Sequence, residues 1–330
     1  MKPTKGNIII KPFKHDPELE RLTLKMHHYF KRITSRGLVV AVSESKSEFD
    51  CCSVGDVVVY DRYSGIDIEY NDSTHEVINQ SEVVCLIVDG EYKIPYNYVL
   101  VEKLEGTAES NTNFIIDKSF QKERFASTYG KVIAAPDNLM FFGKEISQRE
   151  LYADSTIAKM TNMTIKWDNP DGVLVKKDDI VHFHYLSIEN AEVLGLIIED
   201  ESTSKKYYLI RYDLCYAFER GEDIVFINGY CGVDIENIPT TVETETSVNI
   251  FNLNEKGDKR WGLGTLVFIS TPNKSYITYD FDEENAEAKV GDVVNFQHTK
   301  RMKIGNDILI KNEKLKNIHL IQKKDINFII

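Results

Sequence analysis

The sequence contains no C-x-x-C pair, and its cysteines (Cys51, Cys52, Cys85, Cys215 and Cys231) are odd in number. That excludes a disulfide framework and a zinc ribbon. Small buried thiols in a reducing compartment are the simple expectation. Positive charge is also scarce: 40 Lys and Arg stand against 52 Asp and Glu, a formal net charge of −12. Neither nucleic acid nor an anionic membrane is an expected partner, because both require clustered Lys and Arg. No apolar run approaches the ~18 residues of a membrane span, and the opening MKPTKGNIIIKPFKHD lacks the apolar core of a signal peptide. A cytoplasmic protein is expected. No G-x-S-x-G, no P-loop and no G-x-G-x-x-G occurs. His182 and His184, and the adjacent His27 and His28, are fragments of a metal site at most, with no further ligand at recognisable spacing. No catalytic residue, cofactor or metal is therefore assigned, and an enzyme is not expected.

What is present is ample core material, 42% apolar residues with 17 Tyr and 16 Phe, and a long repeat. The block Val54-Gly55-Asp56-Val57-Val58-Val59-Tyr60 returns as Lys177-Asp178-Asp179-Ile180-Val181-His182-Phe183. It returns again as Val290-Gly291-Asp292-Val293-Val294-Asn295-Phe296. Each reads as an acidic turn launching a strand that ends on an aromatic residue. A glycine-led apolar strand precedes each block, at Gly37–Val42, Gly130–Ala135 and Gly264–Ile269. A first strand precedes that, at Gly6–Lys11, Tyr96–Val101 and Tyr230–Ile235. An apolar run closes each copy, at Ser81–Ile87, Tyr212–Phe218 and Lys316–Ile321. Asp56 and Asp179 lie 123 residues apart, and Asp179 and Asp292 lie 113 apart. Repeats this long are tandem domains rather than a short-period solenoid. The expected boundaries are 1–92, 93–224 and 225–330, each an antiparallel β-barrel, with a long insertion at 136–175 in the second. Val57, Val59, Ile180, Val293 and Leu266 are expected in the cores.

Two insertions read as helices. Asp16 and Pro17 begin one, whose apolar stripe runs Leu19, Leu22, Met26, Tyr29, Ile33. Ser147 and Glu150 form a capping box for another, with Ile146 and Leu151 as its hydrophobic staple.

The order of elements, the opening Lys2-Pro3 with Ile8-Ile9-Ile10, and Val54–Tyr60 followed by Tyr63-Ser64-Gly65 resemble the GroES-type co-chaperonin family. The resemblance is strongest in the first repeat, and weakest in the second, where Gly55 becomes Asp178. It implies a mainly β fold of three tandem GroES-like antiparallel β-barrels with small helical insertions. It also implies a homo-oligomeric ring that caps a chaperonin and assists folding without a cofactor. Family members dock through an apolar tripeptide in the loop after the first strand. The matching positions are Phe114, Ile115 and Ile116 in repeat two, and Ile250, Phe251 and Leu253 in repeat three. In repeat one the loop is the helix, carrying Leu22 and Leu24. A satellite core or strand edge is the alternative reading of each triplet, and packing on its own barrel that of the helix. Family rings pair the first strand of one barrel with the last of its neighbour, which makes Ile8, Ile9 and Ile10, with Ile318, Leu320 and Ile321, candidate interface residues. The carboxylate-rich 280–287 stands where the family places its roof hairpin, and is otherwise a solvated loop. The rival function is a non-enzymatic structural ring component of a virus particle or similar assembly, whose partners are neighbouring subunits and whose location is the virion.

Overall fold

The computed structural model describes residues 2–13, 35–45, 50–61, 63–104, 127–144, 164–168, 173–200, 203–235, 261–270, 288–297, 302–304 and 312–329. The described residues fall into two compact units. The first draws on Met1–Tyr98 and Ala134–Leu174, the second on Val99–Ile133, Val175–Asn273 and Ile277–Ile330. The fold is mainly β.

In the first unit β1 (Asn7–Pro12), β2 (Arg36–Val42), β3 (Val57–Tyr60), β4 (Ile66–Tyr70), β5 (Ser73–Asn79), β6 (Val83–Val88) and β7 (Glu91–Tyr96) form one sheet. The second unit opens with β8 (Tyr98–Lys103) and β9 (Tyr129–Ala134). The chain then supplies β10 (Pro136–Asn138) to the first sheet, in parallel with β7, and a ribbon of β11 (Met140–Lys144) and β12 (Thr164–Asp168). The second sheet is completed by β13 (Ile180–Phe183), β14 (Ile197–Asp200), β15 (Lys205–Arg211), β16 (Cys215–Arg220) and β17 (Asp223–Phe226). Among the described residues one α-helix, α1 (Ser187–Leu194), precedes β14. The third sheet contains β18 (Tyr230–Asp234), β19 (Trp261–Phe268), β20 (Val293–Gln297), β21 (Met302–Lys303), β22 (Ile318–Gln322) and β23 (Ile326–Ile329).

The three sheets run in one order. The first is β4-β5-β1-β2-β3-β6-β7-β10, the second β14-β15-β8-β9-β13-β16-β17, and the third β21-β22-β18-β19-β20-β23. In each, the first strand lies between the second strand and a later strand, and the third strand pairs with the closing strand.

The turn before β3, β13 and β20 is the same three times. Ser53, Lys176 and Lys289 donate their backbone N–H to Asp56, Asp179 and Asp292 Oδ2 at 2.7, 2.7 and 2.6 Å. The preceding residue takes positive φ: +98° at Gly55, 74° at Asp178, +99° at Gly291. Glycine reaches this region without strain, and Asp is among the few other residues that tolerate it. This explains why Asp178 can replace glycine in the second copy. Each third strand then carries a bulge against the closing strand, at Val59/Tyr60, His182/Phe183 and Asn295/Phe296. The residue after the bulge is the aromatic, and Tyr60, Phe183 and Phe296 are all fully buried.

Cores form as the alternation requires. Ile8, Ile10, Val39, Val58, Tyr60, Ile78, Val83 and Leu86 cluster in the first sheet, and Cys231, Val233, Leu266, Val294, Phe296, Ile321 and Ile326 in the third. Val59, Val293 and Leu266 are buried as expected. Val57 and Ile180 begin their strands and are half-buried.

The run Lys316–Ile321 does not close the third copy. As β22 it flanks the first strand β18, in the place of β5 and β15, while β23 takes the closing position beside β20. The two apolar runs lie five residues apart across a 3-10 turn at Lys323–Asp325, so the earlier, stronger one attracts the assignment.

Candidate functional site

The candidate site is the connection between the first and second strand of each sheet, where the sequence carries its apolar triplets. Its ends are fixed by neighbouring paired strands: β1 with β2, β8 with β9, and β18 with β19. Backbone bonds continue past the strands at two of these stems. Phe13 N–H donates to Arg36 O at 3.1 Å, and Leu104 N–H to Tyr129 O at 3.4 Å. The Ser127 hydroxyl donates to Leu104 O at 2.9 Å.

A glycine on each second strand permits the close approach. A Cβ on Gly37 would stand 2.8 Å from Lys11 O, one on Gly130 2.8 Å from Glu102 O, and one on Gly264 3.2 Å from Asp234 O. The Gly-led strands of the sequence thus share one physical reason: the first strand's carbonyl occupies the space of a side chain.

Phe114, Ile115, Ile116, Ile250, Phe251, Leu253, Leu22 and Leu24 lie outside the described residues, as do both expected helices, the 280–287 loop and His27 with His28. The structure brings together the six candidate interface residues differently from a free edge. β1 is hydrogen-bonded on both sides, by β2 and β5, and Ile8, Ile9 and Ile10 are buried. β22 is likewise paired on both sides, by β18 and β21, with Ile318, Leu320 and Ile321 buried. Ile318 and Leu320 pack, within the second unit, with Tyr216, Ala217, Phe226 and Tyr230, so the second and third sheets share an apolar cluster. Sequence reasoning missed this, although Tyr216 and Ala217 fall in a run it recognised. It treated each run as serving its own barrel.

Several buried and half-buried polar groups are held by specific bonds. His182 Nε2 lies 2.6 Å from Glu219 Oε1, and Asn312 donates to Glu219 Oε2 at 2.8 Å. Burial opposes ionisation of Glu219, but these bonds outweigh it and hold the carboxyl below its usual range. His184 accepts from Leu186 N–H at 3.2 Å, and burial pushes it down. The two histidines therefore serve different partners. Asp179 of the second turn receives Arg220 in a two-pronged pair, Nε at 2.9 Å and Nη2 at 2.7 Å. Among the described residues no three His, Cys, Asp or Glu gather as a metal site, and no helix is long and apolar enough to cross a membrane.

No curated protein matches the chain. The family model of the chaperonin 10 kDa subunit matches residues 1–87, and the chain carries a GroES-type domain there.

Proposed function

We propose that the chain is a co-chaperonin-like protein built from three GroES-like barrels, which assembles into a closed homo-oligomeric ring and caps a chaperonin. The observation that carries this reading is the family match over residues 1–87. The order of the first sheet, repeated in the second and third together with the same turn and bulge, supports its extension to the whole chain. The protein performs no chemistry of its own in this reading. Phe114, Ile115 and Ile116, with Ile250, Phe251 and Leu253, are the docking triplets. Leu22 and Leu24 occupy the same connection in the first copy. A single triplet buries enough apolar surface for a weak contact, at ~1.5–3 kcal/mol per side chain, and the ring gains affinity by engaging many together.

The test is co-sedimentation with a chaperonin and ATP, comparing the natural chain with Ile115→Asp. A carboxylate in an apolar groove costs several kcal/mol, so capping should vanish while the oligomer persists. Equal binding by both proteins would remove the docking role from Ile115. Failure of both to bind would favour a structural component of a larger assembly.

A further inference from the structure

Cys51 and Cys52 stand apart from the other thiols. Cys85, Cys215 and Cys231 are buried, and burial raises all three, to about 12 at Cys85, about 11 at Cys231 and well above the ordinary value at Cys215. Cys51 and Cys52 are only half-buried, and their sulfurs lie 3.4 Å apart. Neither supplies a strand or a recognised turn residue. What holds them is Gln80, a fully buried side chain at the corner between β5 and β6. Its Oε1 accepts from the backbone N–H of both cysteines, at 3.0 and 3.1 Å, and its Nε2 donates to Asp50 Oδ1 at 3.3 Å. The Cys51 thiol lies 3.7 Å from Gln80 O. The Gln80 backbone N–H donates to Gly6 O at 2.8 Å, at the entry to β1.

We propose that Cys51 and Cys52 form a redox-active vicinal dithiol, a modification site that a low-molecular-weight disulfide of the glutathione type oxidises to a Cys51–Cys52 disulfide. The hydrogen bond with Cys51 and burial hold the Cys52 thiol up, so Cys52 stays protonated and Cys51 makes the first attack. The Cys51 thiolate bonds to one sulfur of the small disulfide, and the other sulfur leaves as a thiolate that takes a proton from water. Cys52, 3.4 Å away, then gives its proton to solvent and displaces the second small thiolate. Two protein thiols and one disulfide become one protein disulfide and two small thiols, and the two electrons pass to the small disulfide. Closing the ring brings the sulfurs to about 2 Å and turns the peptide between the cysteines. The two N–H groups that share Gln80 Oε1 can then no longer both reach it. The redox state is thus transmitted to the corner beside β1 and to the Ser53–Asp56 turn that follows.

The experiment exposes the full-length native chain to excess oxidised glutathione, blocks free thiols, and reads the tryptic peptide Ser47–Arg62 by mass. The expected peptide is lighter by two hydrogens, carries no glutathione and regains both hydrogens on reduction. In Cys52→Ser the glutathione adduct should persist on Cys51. Cys51→Ser should react far more slowly. Phenylarsine oxide, which bridges two close thiols, should form a one-to-one adduct on the natural chain and block the oxidation, a readout that needs no variant. Hydrogen exchange at Cys52 and Gln80 should quicken in the oxidised form. A stable glutathione adduct on the natural chain, or full alkylation of both cysteines after oxidation, would overturn the proposal.

Discussion

At the scale of single residues, the same backbone problem is met three times with different side chains. The left-handed position before the repeated Asp is Gly55, Asp178 or Gly291. A Cβ on Gly55 meets nothing within 4 Å, so only backbone strain opposes a side chain there. Gly55→Asn is therefore expected to cost less than Gly55→Val by about 1 kcal/mol, since Asn tolerates this region and a β-branched residue does not. Urea melts of the two variants check the order. Gly37 is limited differently. A Cβ there would stand 2.3 Å from Ile10 Cγ2 and 2.8 Å from Lys11 O, so Asn and Val should both fail at that position. Glu219 gives a residue-scale dependence on pH. Its folded-state value is below the ordinary 4.5, so it contributes stability above that pH and loses it as pH falls through the lower folded value. Asn312→Ala removes one of the bonds that lower it. The folded value should then rise toward 4.5, so the loss still begins near pH 4.5 but is smaller and ends at higher pH, visible as a shallower fall of urea midpoints below pH 4.5.

At the scale of elements, the bulge before the closing strand decides where the largest side chain goes. It turns Tyr60, Phe183 and Phe296 inward, each with no exposure. Truncating such a ring to Ala costs ~3–5 kcal/mol, so Phe296→Ala should lower the stability of the second unit by about that amount, with Phe328→Ala, at 54% exposure on β23, close to neutral. Calorimetry on the two variants separates them. The first, second and third strands of every copy were legible in the sequence as apolar runs in a repeated order, the second led by a glycine and the third by an acidic turn. What stayed illegible were strands with little apolar patterning or with a distant partner. β4, with the exposed pattern Ile66-Asp67-Ile68-Glu69-Tyr70, has a weak core face, and β10 is three residues that pair in parallel with β7 across forty residues of chain. β23 was missed because Ile318–Ile321 is the stronger apolar run, and strength does not encode which neighbour a strand takes. The candidate site was legible as a position: two paired strands and a close-approach glycine frame each triplet-bearing connection.

At the scale of the molecule, the second and third sheets are not beads on a string. Tyr216, Ala217 and Phe226 of the second pack with Tyr230, Ile304, Leu315, Ile318 and Leu320 of the third. Tyr216 meets Tyr230 edge-on with ring centroids 4.7 Å apart, and Phe226 stacks on Phe268 at 4.7 Å. The bond from Asn312 to Glu219 crosses the same junction. Burial of this kind couples the two sheets, because neither can open without exposing the other's half of the cluster. The second unit is therefore expected to unfold as one cooperative body rather than as two. Leu320→Ala tests this. The residue is fully buried, so its truncation should cost ~2–5 kcal/mol. If the sheets are coupled, native-state hydrogen exchange should lose protection equally in β16 of the second sheet and in β18 and β22 of the third. If each sheet stood alone, the loss would stay in β18 and β22, and β16 would keep its protection. The same coupling predicts that a chain starting at residue 225, which keeps every strand of the third sheet, exposes the cluster and aggregates, whereas one starting at 99 keeps the junction and remains folded.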